Sequence, residues 1–239
     1  MTGRERIGNI FKRKQVDRIG RFEHFWNDTG AAWAAAGKAE PGIDLADQFD
    51  LDITTCWAFD LTADLDFVPV TVDETEDTIT RRDGNGALLR RHKKHDSTPE
   101  HIDFLVKERA AWEEFIKPRL TADPRRIKFQ EYRARRDFAR ALGRFFMWSG
   151  VSVFESMHPV CGHENMVVGM ALDPDWIADM VETYSRLLVE LQEILFAAEG
   201  PPDGIWYYED MGFKERPFMS PAMYGELIRP GHLRTIAYA

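Results

Sequence analysis

The chain has 239 residues, 44% hydrophobic and 30% charged, a composition that excludes a disordered, collagen-like or low-complexity protein and suits one large domain. Lys and Arg number 31 against 40 Asp and Glu, and the net charge of −9 argues against nucleic acid as a partner. No apolar stretch approaches the ~18–20 residues of a membrane span, Met1–Lys14 lacks a signal-peptide core, and Cys56 and Cys161 form no CxxC pair, so the sequence predicts a cytoplasmic protein without a membrane partner.

Thr2-Gly3-Arg4-Glu5 opens a helix predicted over Glu5–Arg13, with Ile7, Ile10 and Phe11 on one stripe. Ile19–Trp26 reads as a first strand. Ala31–Ala36 and Leu45–Phe49 read as short helices. Leu51–Phe59, β-branched and aromatic, reads as a second, buried strand. In Phe67–Lys93, Val68, Val70 and Val72 alternate before Asp83-Gly84-Asn85-Gly86, which supplies the positive φ of a tight turn. This segment is predicted as a surface β-hairpin inserted between the β/α units.

Residues 107–117 read as an amphipathic helix and 130–142 as an Arg-rich one. On the latter, Arg133, Arg135, Arg136 and Arg140 read as a solvated face, with an anion or partner contact as the alternative. Arg144–Ser149 is a third buried strand, followed by Gly150. Asp173-Pro174 starts the longest helix, which keeps an apolar 3.6 period to about Ala198. Gly200-Pro201-Pro202 stops it, Asp203–Tyr208 forms a fourth strand, and Ser220-Pro221 starts a last helix. Strands alternating with helices predict a parallel sheet of β/α units. No repeat or linker divides the chain, so one domain is expected over 1–239, laid out like part of an eight-stranded barrel with about four β/α units. Such a layout leaves sheet edges unpaired and predicts either a homodimer or poor solubility.

In a β/α barrel, chemistry gathers at the C-terminal ends of the strands. That rule selects Glu23 and His24 after strand one, Asp60 after strand two, Ser149, Gly150 and Glu155 after strand three, and Glu209 and Asp210 after strand four. Glu209 and Asp210 are neighbours on an extended chain and point to opposite sides. Either can act as general acid or base, accept a hydrogen bond from substrate, or bind a metal, whereas the structural alternative is a turn cap or an ion pair with Arg216. Asp60 follows an uncharged run and reads equally as a site carboxylate or a turn residue. His24 can relay a proton near neutral pH. His158, Cys161 and His163 suggest a zinc site by type, but their close spacing lacks a fourth ligand. Trp26, Trp33, Trp57, Trp148 and Trp206 lie near strand segments, as core or as walls for a flat ligand.

Several segments together resemble the uroporphyrinogen decarboxylase superfamily. GRERIGNIFKRKQVDRIGRFE is similar to its entry helix and Asp-Arg turn, here Asp17-Arg18. TVDETEDTITRRDGNGALLRRHK with STPEHIDFLVKERAAWEEF looks like the insertion of its methyltransferase-like branch. GVSVFESMHPVCGHENM before DPDWIADMVETY resembles the loop after its third strand. PDGIWYYEDMGFKERPFMSPAMYGELIRPGHLRTI resembles its fourth strand, acidic tip and following helix.

The resemblance covers essentially the whole chain and implies a (β/α)8 barrel of which further β/α units would follow. It implies pocket positions for Asp210, Asp60 and Glu155, with Glu23 and Trp26 toward substrate. The family's decarboxylases carry arginines after strand one that bind propionates; here Phe22-Glu23-His24-Phe25-Trp26-Asn27 has none. The resemblance therefore implies a methyltransferase-like enzyme acting on a small molecule, with zinc and a corrinoid as cofactors and a corrinoid protein as partner. The zinc ligands of that branch, a His-x-Cys pair and a later Cys, would lie beyond Ala239. The alternatives are porphyrinogen decarboxylation and a truncated barrel that binds without catalysis.

Overall fold

A computed structural model describes residues 1–239, side chains included except that of Asn27. Thr2 caps α1 (Gly3–Phe11): its hydroxyl accepts the Glu5 N–H while the Glu5 carboxylate accepts the Thr2 N–H. Next come α2 (Asn27–Ala35), α3 (Leu45–Gln48), β1 (Ile53–Cys56), β2 (Val70–Glu74), β3 (Thr78–Arg82), β4 (Leu88–His92) and β5 (Glu100–Asp103). A short turn of helix, α4 (Arg109–Ala111), precedes α5 (Phe129–Ala141), β6 (Phe145–Val151), α6 (Val153–Leu172), α7 (Pro174–Glu199) and β7 (Gly204–Tyr208). The chain ends through β8 (Gly212–Phe213), β9 (Arg216–Pro217), α8 (Pro221–Met223) and α9 (Arg229–Tyr238).

The molecule is mixed α/β. Its central sheet is parallel, in the order β1-β6-β7, with Ile53 beside Phe145 and Ser149 beside Trp206. It has three strands and does not close, so a complete barrel is not formed. The expected first strand, Ile19–Trp26, is not one. Asp52 N–H donates to the Arg21 carbonyl, but the Asp52 carboxylate itself takes the Arg21 N–H, so a backbone ladder does not propagate.

Strand alternation divides the sheet into two faces. Cys56, Phe146 and Trp148 face the helices and join the main core with Tyr132 of α5 and Leu188 and Leu191 of α7. On the opposite face, Ile53, Phe145 and Met147 pack against Ile7 of α1. The outer end of that second face, at the strand C-termini, is left open.

The inserted segment is larger than the hairpin read over 67–93: β2-β3-β4-β5 form an antiparallel sheet reaching Asp103. Its turn is partly buried and packs against residues 63–64 instead of standing free at the surface. Asn85 Oδ1 accepts the Ala63 N–H at 2.8 Å, Asp64 N–H donates to the Gly84 carbonyl, and Ala87 is fully enclosed. A Cβ at Gly84 would meet the Asp64 carbonyl, so this close approach requires glycine.

The segment read as a loop after strand three is helical. Pro159 and Gly162 obscure its period, because Gly162 adopts φ 75° and ψ 157° and kinks α6. A Cβ there would also strike the Phe104 ring. Gly162→Ala is expected to cost about 1–3 kcal/mol from backbone strain alone. Thermal melting checks this; a variant melting with the wild type would refute the close approach.

The helix expected over 107–117 is irregular: α4 widens into a π-helical turn (Trp112–Ile116) and tightens at Lys117–Arg119. Asp179 of α7 accepts from Trp112 Nε1 and Lys117 Nζ, fixing this bend. The last helix is likewise broken, by a π-helical turn (Tyr224–Ile228) before Pro230, which has no N–H for the ladder. The Arg-rich face of α5 is not simply solvated, since Arg133 and Arg136 pair with Glu199 at the end of α7. Among the described residues, no helix is long and apolar enough to cross a membrane.

Candidate functional site

Because β1, β6 and β7 run parallel, their C-terminal ends emerge together. Two adjoining concavities lie there, sharing Trp57 and Ser149. The outer one, about 350 Å³, is walled by Phe22, His24, Trp26, Trp57, Trp206 and Tyr208, with Thr55, Thr98 and Ser149. Register explains the wall: Ser149 sits beside Trp206 and Val151 beside Tyr208, so all share one face. Phe22 meets the Trp206 ring edge-on at 4.5 Å between centroids. Trp57, 45% exposed, stands between the two concavities.

The inner cavity, about 280 Å³, lies between the end of β6, the start of α6 and residues 57–62. Trp57, Phe59, Leu61, Trp148, Pro159 and Leu188 give it an apolar lining, and Thr62, Asn85, Ser149, Ser156 and Glu155 add polar groups. Ser149 is only 3% exposed, yet its hydroxyl has no hydrogen-bond partner, and neither does Trp148 Nε1. Buried polar atoms are ordinarily paired, so these two stand out in a cavity lining. Among the described residues, no Lys or Arg lines either concavity.

The selected carboxylates take different places. Glu209 accepts from the N–H groups of Phe154 (3.0 Å) and Glu155 (2.8 Å), at the positive end of α6. His232 Nε2 lies 2.6 Å from the same carboxylate, and its Nδ1 contacts the Tyr224 hydroxyl at 3.1 Å. Glu155 lines the inner cavity; one oxygen contacts His158 Nε2 at 2.9 Å and the other accepts the Asp210 N–H. Asp210 is exposed and lines neither concavity. Asp60 accepts the Thr62 N–H at 2.9 Å as an Asx turn and lines neither concavity. His24 and Trp26 line the outer concavity, whereas Glu23 accepts the His24 N–H and faces a separate cleft beside Asp44, Arg135 and Arg144.

His158 and His163 stack at 4.3 Å, and His101 lies 5.7 Å from His158 on its other side. Burial, and then the neighbouring His158, hold His101 and His163 below the ordinary histidine value. Burial pushes the Cys161 thiol up to about 12. Among the described residues, no group of three His, Cys, Asp or Glu is arranged to hold a metal.

The sequence offers Asn85 only as a turn residue and gives no site role to the His158–Glu155 contact, Thr98 or His232. The i,i+3 spacing of Glu155 and His158 signals a contact once 153–172 is taken as helix. Asn85 and Thr98 arrive from the inserted sheet and carry no local sign of it. A scan of protein-family models finds none that matches the chain, and a search of solved structures finds no match either.

Proposed function

We propose that the chain is an enzyme of the methyl-transfer class, akin to the methyltransferase-like branch of the uroporphyrinogen decarboxylase superfamily, whose strand ends receive a flat ring system. The observation that carries this is the outer concavity: five aromatic rings and His24 around a mouth with no lining cation. Such walls suit the apolar face of a corrinoid, which when bound would supply a cobalt centre able to carry a methyl group. The chain's own residues contribute the stacking wall of Trp26, Trp57, Trp206 and Tyr208, exclusion of water by those rings, and the Ser149 hydroxyl as a hydrogen-bonding group. Zinc does not fit the described residues, so no step is assigned to it. Porphyrinogen decarboxylation is the weaker reading, since propionates would find no Lys or Arg in either lining.

Titration of the chain with hydroxocobalamin should quench tryptophan fluorescence saturably. Trp206→Ala should weaken the binding by about tenfold, the loss of one aromatic wall. No quenching, or a Trp206→Ala variant that binds like the wild type, defeats the proposal. Uroporphyrin added instead should bind at least about tenfold more weakly, given the missing cations.

A further inference from the structure

We propose that the inner cavity binds a small methylated ammonium ion bearing a hydroxyl group, a ligand of the choline class. Three aromatic side chains, Trp57, Phe59 and Trp148, and one carboxylate, Glu155, line the same half-open cavity. Aromatic walls with a nearby carboxylate form the environment in which quaternary ammonium ions are recognised, through attraction to ring faces and to negative charge. The absence of lining Lys or Arg, together with Glu155, turns away anions. A neutral apolar ligand alone would leave the buried Ser149 hydroxyl without a partner, as it is in the structure. A ligand hydroxyl supplies that partner while the methylated head meets the rings and Glu155. The cavity volume of about 280 Å³ sets the size, below the usual range for drug-sized ligands.

The inference goes beyond the methyl-transfer reading and does not rest on it. Trp57 and Ser149 border both spaces, but Glu155 lines only the inner cavity and Trp206 only the outer wall, so the variants of those two residues separate the readings and either can fail alone.

Calorimetric titration of the full chain with choline chloride is the test. Choline should bind saturably, and its uncharged carbon isostere, dimethylbutanol, should bind at least about tenfold more weakly, because it lacks the charge that the rings and Glu155 attract. Trp57→Leu, a change at a largely exposed ring, and Glu155→Gln should each weaken choline several-fold. Glu155 also holds the Asp210 N–H and His158, so circular dichroism must show that its variant is folded. Should it not fold, the isostere comparison and Trp57→Leu decide. No choline binding, equal binding of the isostere, or a folded pair of variants that bind like the wild type would overturn the proposal.

Discussion

Arg126→Met is expected to cost the fold about 3–5 kcal/mol, the range for stripping one member from a buried charged network. Arg126 is 1% exposed and has no carboxylate partner within hydrogen-bond reach. Instead its guanidinium donates to five backbone carbonyls: Asp60, Thr62, Ala63, Arg119 and Thr121. Burial lowers its pKa, but a guanidinium remains charged at neutral pH. The five carbonyls together act as its counter-charge. Methionine fills much of the volume; the Arg119 and Thr121 carbonyls keep the Thr121 and Asp123 N–H groups, but those of Asp60, Thr62 and Ala63 lose the donor, at about 1–3 kcal/mol for each that water cannot reach.

Lysine should rescue little, since an ammonium has three donors at one point and cannot span loops 60–63 and 119–121 together. At about 2–4 °C per kcal/mol for a chain of this size, the melting temperature should fall by roughly 6–20 °C. A methionine variant within about 1 kcal/mol of the wild type would show that the carbonyls find other partners. The consequence for function is direct, because Leu61 and Thr62 line the inner cavity and Arg126 fixes their backbone.

Arg126 also shows where sequence reading runs out. β6 was legible because Phe145–Trp148 is an unbroken buried run, and α7 because its cap and 3.6 period are both local. The parallel direction of β1, β6 and β7 followed from the helices between them. Ile19–Trp26 has a strand-like composition, but its pairing is decided by the Asp52 carboxylate, about thirty residues away. α6 was hidden by Pro159 and Gly162, where the kink lets the backbone lie close against the Phe104 ring, just after β5.

The strand-end rule selected Ser149, Gly150 and Glu155, which line the inner cavity after β6, since it depends only on topology; His24 lines the outer concavity although no strand precedes it. It does not distinguish a carboxylate facing a cavity from one closing a turn or a helix end. Asp60 holds a turn and Glu209 holds the α6 N-terminus, and both arrangements are set by backbone N–H groups the sequence does not display.

Asp52→Asn is the second large effect expected, and it carries its own pH signature. Asp52 is 2% exposed and accepts from Arg6 Nη1 (2.5 Å), Arg18 Nη1 (2.6 Å) and the Arg21 N–H (2.8 Å). It thereby ties α1 and residues 17–21 to the start of β1. Burial works against its charge, but Arg18, the Arg21 N–H and Arg6 outweigh it and hold its pKa below the usual carboxylate value. A depressed folded-state pKa gives stability that is fully present above the unfolded value, about 3.9, and lost as pH falls through the folded one. Asp17, also lowered by its hydrogen bonds to Arg6, is much more exposed, so solvent screens its share.

Asparagine keeps the shape and removes the charge. Arg6 retains Asp17 and Arg18 retains Asp50, so the loss at neutral pH should sit near the lower end of the buried-pair range, about 3 kcal/mol. Urea unfolding at pH 7 should show that gap. As pH falls below about 4, the unfolded wild type takes up the proton that folded Asp52 resists, the stability linked to its charge is lost, and the gap should narrow. A gap that stays constant down to pH 3, or no gap at pH 7, would mean that the two arginines are held by Asp17 and Asp50 alone.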